Sequence, residues 1–252
     1  VVVVDTGLTI SAMTSAQLAL SAVYQFDASN DVLTLNSQQV QSLFPTLGVV
    51  RVASSDSIYL VDSSTNIASL ARTEAGVSAL ANARVMSIDA TDNQLTLTAA
   101  QAGAIESKLV LSDLVTLRDT GANISAMTAL SSTKFDIIDA SDNKLTLTVS
   151  QLAAIESKLE NSDVAAVVDT GTAISALTAQ LISSSHVGTI LATGGVAGNI
   201  SFTVAKAVAA DAKLSTLNTV TVADTGGSIS GMTAAQVGSH SMHLNLSIRL
   251  QS

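Results

Sequence analysis

The chain repeats itself, and that limits its folding more than any single motif does. VVVVDTGLTISAMT from Val1, VTLRDTGANISAMT from Val115, AAVVDTGTAISALT from Ala165 and VTVADTGGSISGMT from Val220 are copies of one phrase, with LVDSSTNIASL from Leu60 a worn fifth. A second phrase alternates with it: FDASNDVLTLNSQQ from Phe26, IDATDNQLTLTAAQ from Ile88, IDASDNKLTLTVSQ from Ile138 and the degenerate LATGGVAGNISFTV from Leu191. Asp5, Asp27, Asp62, Asp89, Asp119, Asp139, Asp169 and Asp224 align, with Thr193 in the remaining place. The mean step is about 27 residues, inside the range of solenoids and arrays. A unit that short cannot bury its own apolar face, so successive units must stack, equivalent strand on equivalent strand, about 4.7 to 4.9 Å apart. The expected fold is a β-solenoid with short helices: parallel strands in about nine repeats of roughly 27 residues, each a strand, a turn, a second strand and a capped helix.

The helix starts can be read residue by residue. Thr14 with Gln17, Asn36 with Gln39, Thr98 with Gln101, Thr148 with Gln151 and Thr233 with Gln236 place Gln three positions after an N-cap residue, the spacing of a capping box. Downstream, Ala102, Ile105 and Leu109, and likewise Leu152, Ile155 and Leu159, recur on one helical face, with Glu156 and Lys158 toward water. Thr128 and Thr178 lack the Gln, which predicts weaker or shorter helices there. The LTLT and ISAM pieces alternate with period two and read as strands. Asp-Thr-Gly and Asp-Ala-Ser-Asp-Asn read as turns in which Asp and Asn satisfy local amides and Gly accepts positive φ.

Composition agrees with a narrow cross-section. Aromatics are 2% of the 252 residues, Trp is absent and Pro45 is the single proline, so the core is built from small aliphatic groups. A net charge of −9 leaves no cationic surface for a phosphate backbone, which argues against nucleic acid. With no Cys, disulfides, thiolate metal sites and a Cys nucleophile are excluded. The longest apolar runs, Val1 to Val4 and Val164 to Val168, fall far short of the ~20 residues of a membrane span, and no signal segment is recognised. The opening without Met, directly in a strand-like run, is expected of a piece of something longer.

Several motifs invite chemistry. AVVDTGTAIS around Asp169 resembles the aspartic proteases of the retroviral type, which need two carboxylates sharing a proton across two lobes. Four copies of the phrase without a two-lobed setting favour a turn instead. Asp27, Asp89 and Asp139 open loops resembling half of a Ca²⁺ site, yet the Gly and Glu of an EF-hand are misplaced; turn capping without metal is expected, with Ca²⁺ at these Asp-rich turns the open alternative. Thr96 with Thr98 and Thr146 with Thr148 resemble ice-binding arrays, but intervening units read ISAM and the second Thr is needed as a cap. His240 and His243 have ligand-like spacing with no further ligand nearby, and His186 stands alone. The glycine pairs Gly194–Gly195 and Gly226–Gly227 read as turns. No catalytic, cofactor-binding or metal residue is assigned, and no enzymatic activity is expected. Residues 1–239 form the repeat domain; 240–252, HSMHLNLSIRLQS after its break with the pattern, is a divergent tail or cap.

DTGANISAMTA and IDASDNKLTLTVSQLAAI resemble the repeat arrays of bacterial extracellular proteins of the surface-layer, giant-adhesin and type I-secreted kind, over nearly residues 1 to 236. The departures are the absent calcium nonapeptides and the divergent stretch near 191 to 206. That resemblance implies an extracellular or cell-surface location. The expected role is structural: part of a surface layer, filament, adhesin stalk or matrix, self-associating through solenoid ends or faces, without membrane insertion. A glycan- or surface-binding module, and the noncatalytic repeat region of a secreted enzyme or toxin, are the alternatives.

Overall fold

A computed structural model describes residues 1–128, 130, 133–193, 199–233 and 236. His240, His243, the tail 240–252 and the pair Gly194–Gly195 therefore lie outside the described residues. Two compact units are formed, Val1–Asp119 with Met127–Ile138, and Thr120–Ala126 with Asp139–Ser252. The first contains β1 (Val2–Asp5), α1 (Gly7–Ser11), α2 (Ser15–Leu18), β2 (Gln25–Ala28), β3 (Val32–Leu35), α3 (Ser37–Leu43), β4 (Ser57–Asp62), α4 (Ser64–Leu70), α5 (Glu74–Ala81), β5 (Val85–Ala90), β6 (Gln94–Leu97), α6 (Ala99–Ile105) and β7 (Leu114–Asp119). Next along the chain come α7 (Gly121–Ser125), β8 (Ile137–Ala140), β9 (Lys144–Leu147), α8 (Val149–Ile155), β10 (Val164–Thr170), α9 (Gly171–Ser175) and α10 (Ala179–Ser183). Then follow β11 (Val187–Thr193), β12 (Asn199–Phe202), α11 (Val204–Ala210), β13 (Thr219–Val222) and α12 (Gly226–Ser230).

The strands pair in parallel, and no closed barrel forms among the described residues. In the first unit β1 pairs with β2, β4 lies between β3 and β5, and β6 pairs with β7. The second unit repeats the scheme, with β10 between β9 and β11 and β12 beside β13. The register sets like on like: Leu33 faces Ile58, Leu35 faces Leu60, and Leu60 faces Ile88. All of these are buried, so one side of these strands supplies the aliphatic core, each Leu or Ile contributing roughly 1.5–3 kcal/mol by leaving water. Phe26, Phe135 and Phe202 are also fully buried, half of the chain's six aromatic residues.

The segments built on Asp-Ala-Ser follow the expected grammar. LTL forms β3, β6 and β9, and the following polar residue caps a helix. All five expected capping boxes close, those at Thr14, Asn36, Thr98 and Thr148 at helix starts and that of Thr233 with Gln236 through both reciprocal bonds, 2.8 and 3.3 Å. The helix after Thr178, without its Gln, is five residues long, but length does not follow the Gln: α2 with its box has four residues and α11 without one has seven; the stretch after Thr128 runs outside the described residues. Helices α6 and α8 end early in 3-10 turns at Glu106–Lys108 and Glu156–Lys158. Glu156 and Lys158 are half-buried rather than solvated, Glu156 accepting from Ser184 Oγ at 2.7 Å.

The Asp-Thr-Gly segments depart from expectation. Their ISAM portion is not a second strand. Thr6, Thr120, Thr170 and Thr225 act as N-caps, accepting from the amide three residues on, and α1, α7, α9 and α12 follow, each of five residues. A period-two reading fails because a single helical turn also buries one residue, Ile10, Ile124 and Ile174 in turn. Each short helix packs where a neighbouring Asp-Ala-Ser segment has its second strand: α1 on β3 and α4 on β6 in the first unit, α7 on β9 and α9 on β12 in the second.

The glycine of Asp-Thr-Gly is also corrected. Gly7, Gly121 and Gly171 do not take positive φ; a Cβ there would fall well inside 3.0 Å of the backbone carbonyl oxygen of Val32, Lys144 and Asn199 respectively. Close approach of helix to strand, not turn conformation, requires glycine. The left-handed positions belong instead to Asp31, Asn93 and Asn143, the last residues of the Asp-rich turns.

Candidate functional site

The polar groups of this fold converge on its joints, where one segment meets the next. At the strand ends, Asp62, Asp119, Asp169 and Asp224 accept through Oδ2 from the first amide of the preceding helix, at Ser37, Ala99, Val149 and Val204, 2.8 to 3.1 Å away. The other oxygen of Asp62, Asp169 and Asp224 accepts the amide of the next residue, Ser63, Thr170 or Thr225, at 2.7 to 2.8 Å. Burial raises the Asp62 carboxyl, but hydrogen bonds from Asn66, Ser37 and Ser63 outweigh it and hold the group below its ordinary range. Asp224 is lowered by the Thr225 and Val204 amides. These carboxylates are thus committed to backbone N–H groups, which is structural use of the Asp-Thr-Gly phrase.

In the Asp-rich turns, whose leading Asp27, Asp89 and Asp139 the sequence singles out, the fourth residue reaches across to a neighbouring segment. Asn30, Asp92 and Asp142 accept through Oδ1 from the first helical amide of a neighbouring segment, Gly7, Ser64 and Gly121, at 2.7, 3.0 and 2.8 Å. Each of these bonds reaches an amide more than twenty residues away, while Asp92 and Asp142 also draw on the local amides of Gln94 and Lys144, as expected of such turns. Asp92 is lowered by the Ser64 hydroxyl and then by its amide, and Asp142 by the Gly121 amide. Among the described residues no three His, Cys, Asp or Glu side chains gather as metal ligands do.

The capping glutamines work in two directions. While Oε1 accepts the N-cap amide, Nε2 reaches back: Gln39 donates to the Ser11 and Met13 carbonyls at 2.8 and 2.7 Å, Gln101 to Ala71 at 3.1 Å and Gln151 to Ser125 at 3.0 Å. In α11 Lys206 replaces Gln; it keeps the backward bond to the Ser175 carbonyl at 3.0 Å but, lacking an acceptor, cannot close the box. Serines in the short helices complete the seam, Ser11, Ser125 and Ser175 accepting the amides of Thr34, Thr146 and Ser201. Cations close the helix exits: Arg51 on Leu18 and Val23, Lys108 on Asn82, Lys134 on Leu109, and Lys213 on Ile182 and Ser184, all through backbone carbonyls.

A fourth set of residues is not evident from the aligned phrases. Asp56, Asp113 and Asp163 are buried and accept the Ala28, Ala90 and Ala140 amides through Oδ2 at 3.1, 3.0 and 3.0 Å. Burial, the largest influence, raises all three carboxyls above the ordinary range, against the pull of those amides. A sequence signal for them does exist: Asp56, Asp113, Asp163 and Asn218 each stand six residues before the aligned Asp62, Asp119, Asp169 and Asp224. His186 is likewise buried, its Nδ1 3.0 Å from the Asp163 carbonyl oxygen.

Two shallow grooves open in the first unit. One, about 260 Å³, is lined by Ser37, Gln38, Gln41, Asn66, Ser69, Leu70 and Thr73; the other, about 360 Å³, by residues of α4 and β6, including Gln94 and Thr96, and by Arg72 just beyond α4. Both offer hydroxyls and amides without an aromatic platform or a nucleophile paired to a base. The exposed Thr34 and Thr96 of the first unit each have a short helix, α1 or α4, beside their strand, and in the second unit α7 lies beside the strand of Thr146. No family model matches the chain, and no curated protein or solved structure matches it either.

Proposed function

We propose that this chain is a structural repeat protein: a β-solenoid of about nine stacked segments of roughly 27 residues, working as a scaffold rather than as a catalyst. One observation carries this reading. Besides the local caps, a second set of side-chain bonds to the backbone reaches 20 to 33 residues along the chain, from one segment to its neighbour. A segment is incomplete alone and complete within a stack, so the polar residues spend their chemistry on assembly. Among the described residues the seam brings no nucleophile, base and oxyanion donors together on a cleft.

The setting we infer is extracellular, on a bacterial cell surface, where such a scaffold forms part of a surface layer, filament, adhesin stalk or matrix. Self-association is favoured by apolar groups in the first unit, with Val2 49%, Val4 63% and Leu8 82% exposed on β1 and α1. The partners are copies or neighbouring repeats, not nucleic acid. Size-exclusion chromatography and negative-stain imaging at rising concentration test this: fibres, sheets or higher oligomers are the expected result. A strictly monomeric particle that binds polysaccharide overturns it in favour of a glycan-binding module, for which the two polar grooves would be the place to look.

A further inference from the structure

Burying an acid is costly unless its charge is matched or removed. Asp56, Asp113 and Asp163 are exposed by only 2%, 4% and 0%, and each leaves Oδ1 buried without a hydrogen-bond partner while Oδ2 accepts an alanine amide. The fourth residue at this position shows what faces the second atom. Asn218 accepts from the Ala192 amide through Oδ1 at 2.9 Å and donates from Nδ2 to the Ile190 carbonyl at 2.8 Å. Ile190 lies two residues before Ala192, and its oxygen also accepts the Ser215 amide at 2.9 Å, so both lone pairs are used.

The backbone register around Asn218 recurs at Asp56 and Asp113, the amide three residues earlier bonding the equivalent carbonyl in each case. Phe26, two residues before Ala28, accepts the Ala53 amide at 2.8 Å; Ile88, two before Ala90, accepts the Val110 amide at 3.1 Å. Each carbonyl has a second lone pair to offer. A carboxylic acid matches an amide in shape and in carrying one acceptor and one donor, whereas a carboxylate has no donor at all. We propose that Asp56, Asp113 and Asp163 are held as neutral carboxylic acids near neutral pH, Asp56 and Asp113 donating their protons to the carbonyls of Phe26 and Ile88, so that these joints tighten in mild acid and loosen in alkali. This stands whether or not the chain serves at a cell surface.

The surrounding charges agree. Asp27 and Asp31 face Asp56 and disfavour its ionisation, with Arg84 opposing them; Asp89 and Asp92 face Asp113; Asp139 and Glu160 face Asp163, with His186 opposing. The direction of the stability effect follows from linkage. A carboxyl raised on folding binds its proton more tightly in the native state, so its contribution is complete below the unfolded value near 3.8 and disappears as pH rises through the folded value.

Infrared spectroscopy of the full chain at pH 6 tests this, since an ordinary Asp is then only about 1% protonated. Two to three equivalents of the protonated-carboxyl C=O band, shifted in D2O, are expected, and Asn218→Asp should add one more. Less than one equivalent in the wild-type chain overturns the proposal and requires no variant to fold. Thermal melts give a second reading. Asp113→Asn should melt close to wild type at pH 7, while Asp113→Ala, which strands the Ala90 amide, should melt on the order of 5 °C lower. Equal loss from Asn and Ala would mean that the charge itself is needed and would refute the neutral acid. A fall in melting temperature between pH 6 and 9 is expected of the wild type, and the triple variant Asp56→Asn, Asp113→Asn, Asp163→Asn should lose it; an unchanged fall counts against the proposal.

Discussion

Replacing Gly121 by alanine tests the helix-on-strand joint directly. The new Cβ would meet the Lys144 carbonyl carbon and oxygen and press toward the Leu145 amide nitrogen, all main-chain atoms that cannot swing aside. Relief therefore requires α7 to withdraw from β9. That withdrawal strains three bonds across the joint: Gly121 amide to Asp142 Oδ1 at 2.8 Å, Thr146 amide to Ser125 Oγ at 3.0 Å and Gln151 Nε2 to the Ser125 carbonyl at 3.0 Å. At a net ~0.5–1.5 kcal/mol each, their loss amounts to about 3 kcal/mol, roughly a hundredfold in the folding equilibrium. Gly103 supplies the internal control. It lies within α6 with nothing within 4 Å of where an added methyl would sit, so Gly103→Ala should stabilise by about 0.5–1 kcal/mol through helix propensity alone. Urea unfolding followed by circular dichroism measures both. The close-approach account is refuted if Gly121→Ala loses less than about 1 kcal/mol, or if the two substitutions shift the midpoint in the same direction.

Three further outcomes are expected of the seam. Gln39→Ala removes the acceptor of the Asn36 amide and both donations to the Ser11 and Met13 carbonyls, and should cost about 2 kcal/mol or more in chemical denaturation, beyond the loss of an ordinary surface residue. Because the Asp62 carboxyl is lowered on folding, its contribution exists above the unfolded value near 3.8 and is lost as pH falls through the folded one; Asp62→Asn should thus be less stable than wild type at pH 7, with the difference closing toward pH 2 in thermal melts. EDTA should leave the melting temperature unchanged; a drop of about ten degrees or more would show that metal bound by the native state holds the Asp-rich turns, since such binding stabilises by mass action.

The features legible in the sequence are those that local rules govern. A capping box needs only a polar residue and a Gln three positions later, and Thr148 with Gln151 forms it from atoms within one turn. LTLT is a strand with its second threonine a cap because alternation and capping are both short-range. ISAM misleads for the converse reason: over four residues a strand and one helical turn bury the same isoleucine, and only the neighbouring strand decides which fits. The leading aspartates draw attention because metal loops begin that way, while Asn30, Asp92 and Asp142 make the bonds to targets more than twenty residues away.

The amino-acid order by itself determined the rhythm of the chain, its alternating phrases, its capped helix starts and its slender aliphatic core, since each depends on contacts within a few residues or on side-chain size. Tertiary structure alone decided why Gly7 and Gly121 must lack a Cβ, and why Asp56, Asp113 and Asp163 are buried beside backbone amides. Those properties depend on which main-chain atoms of one segment face another, and that distance is set by packing, not by spacing along the chain.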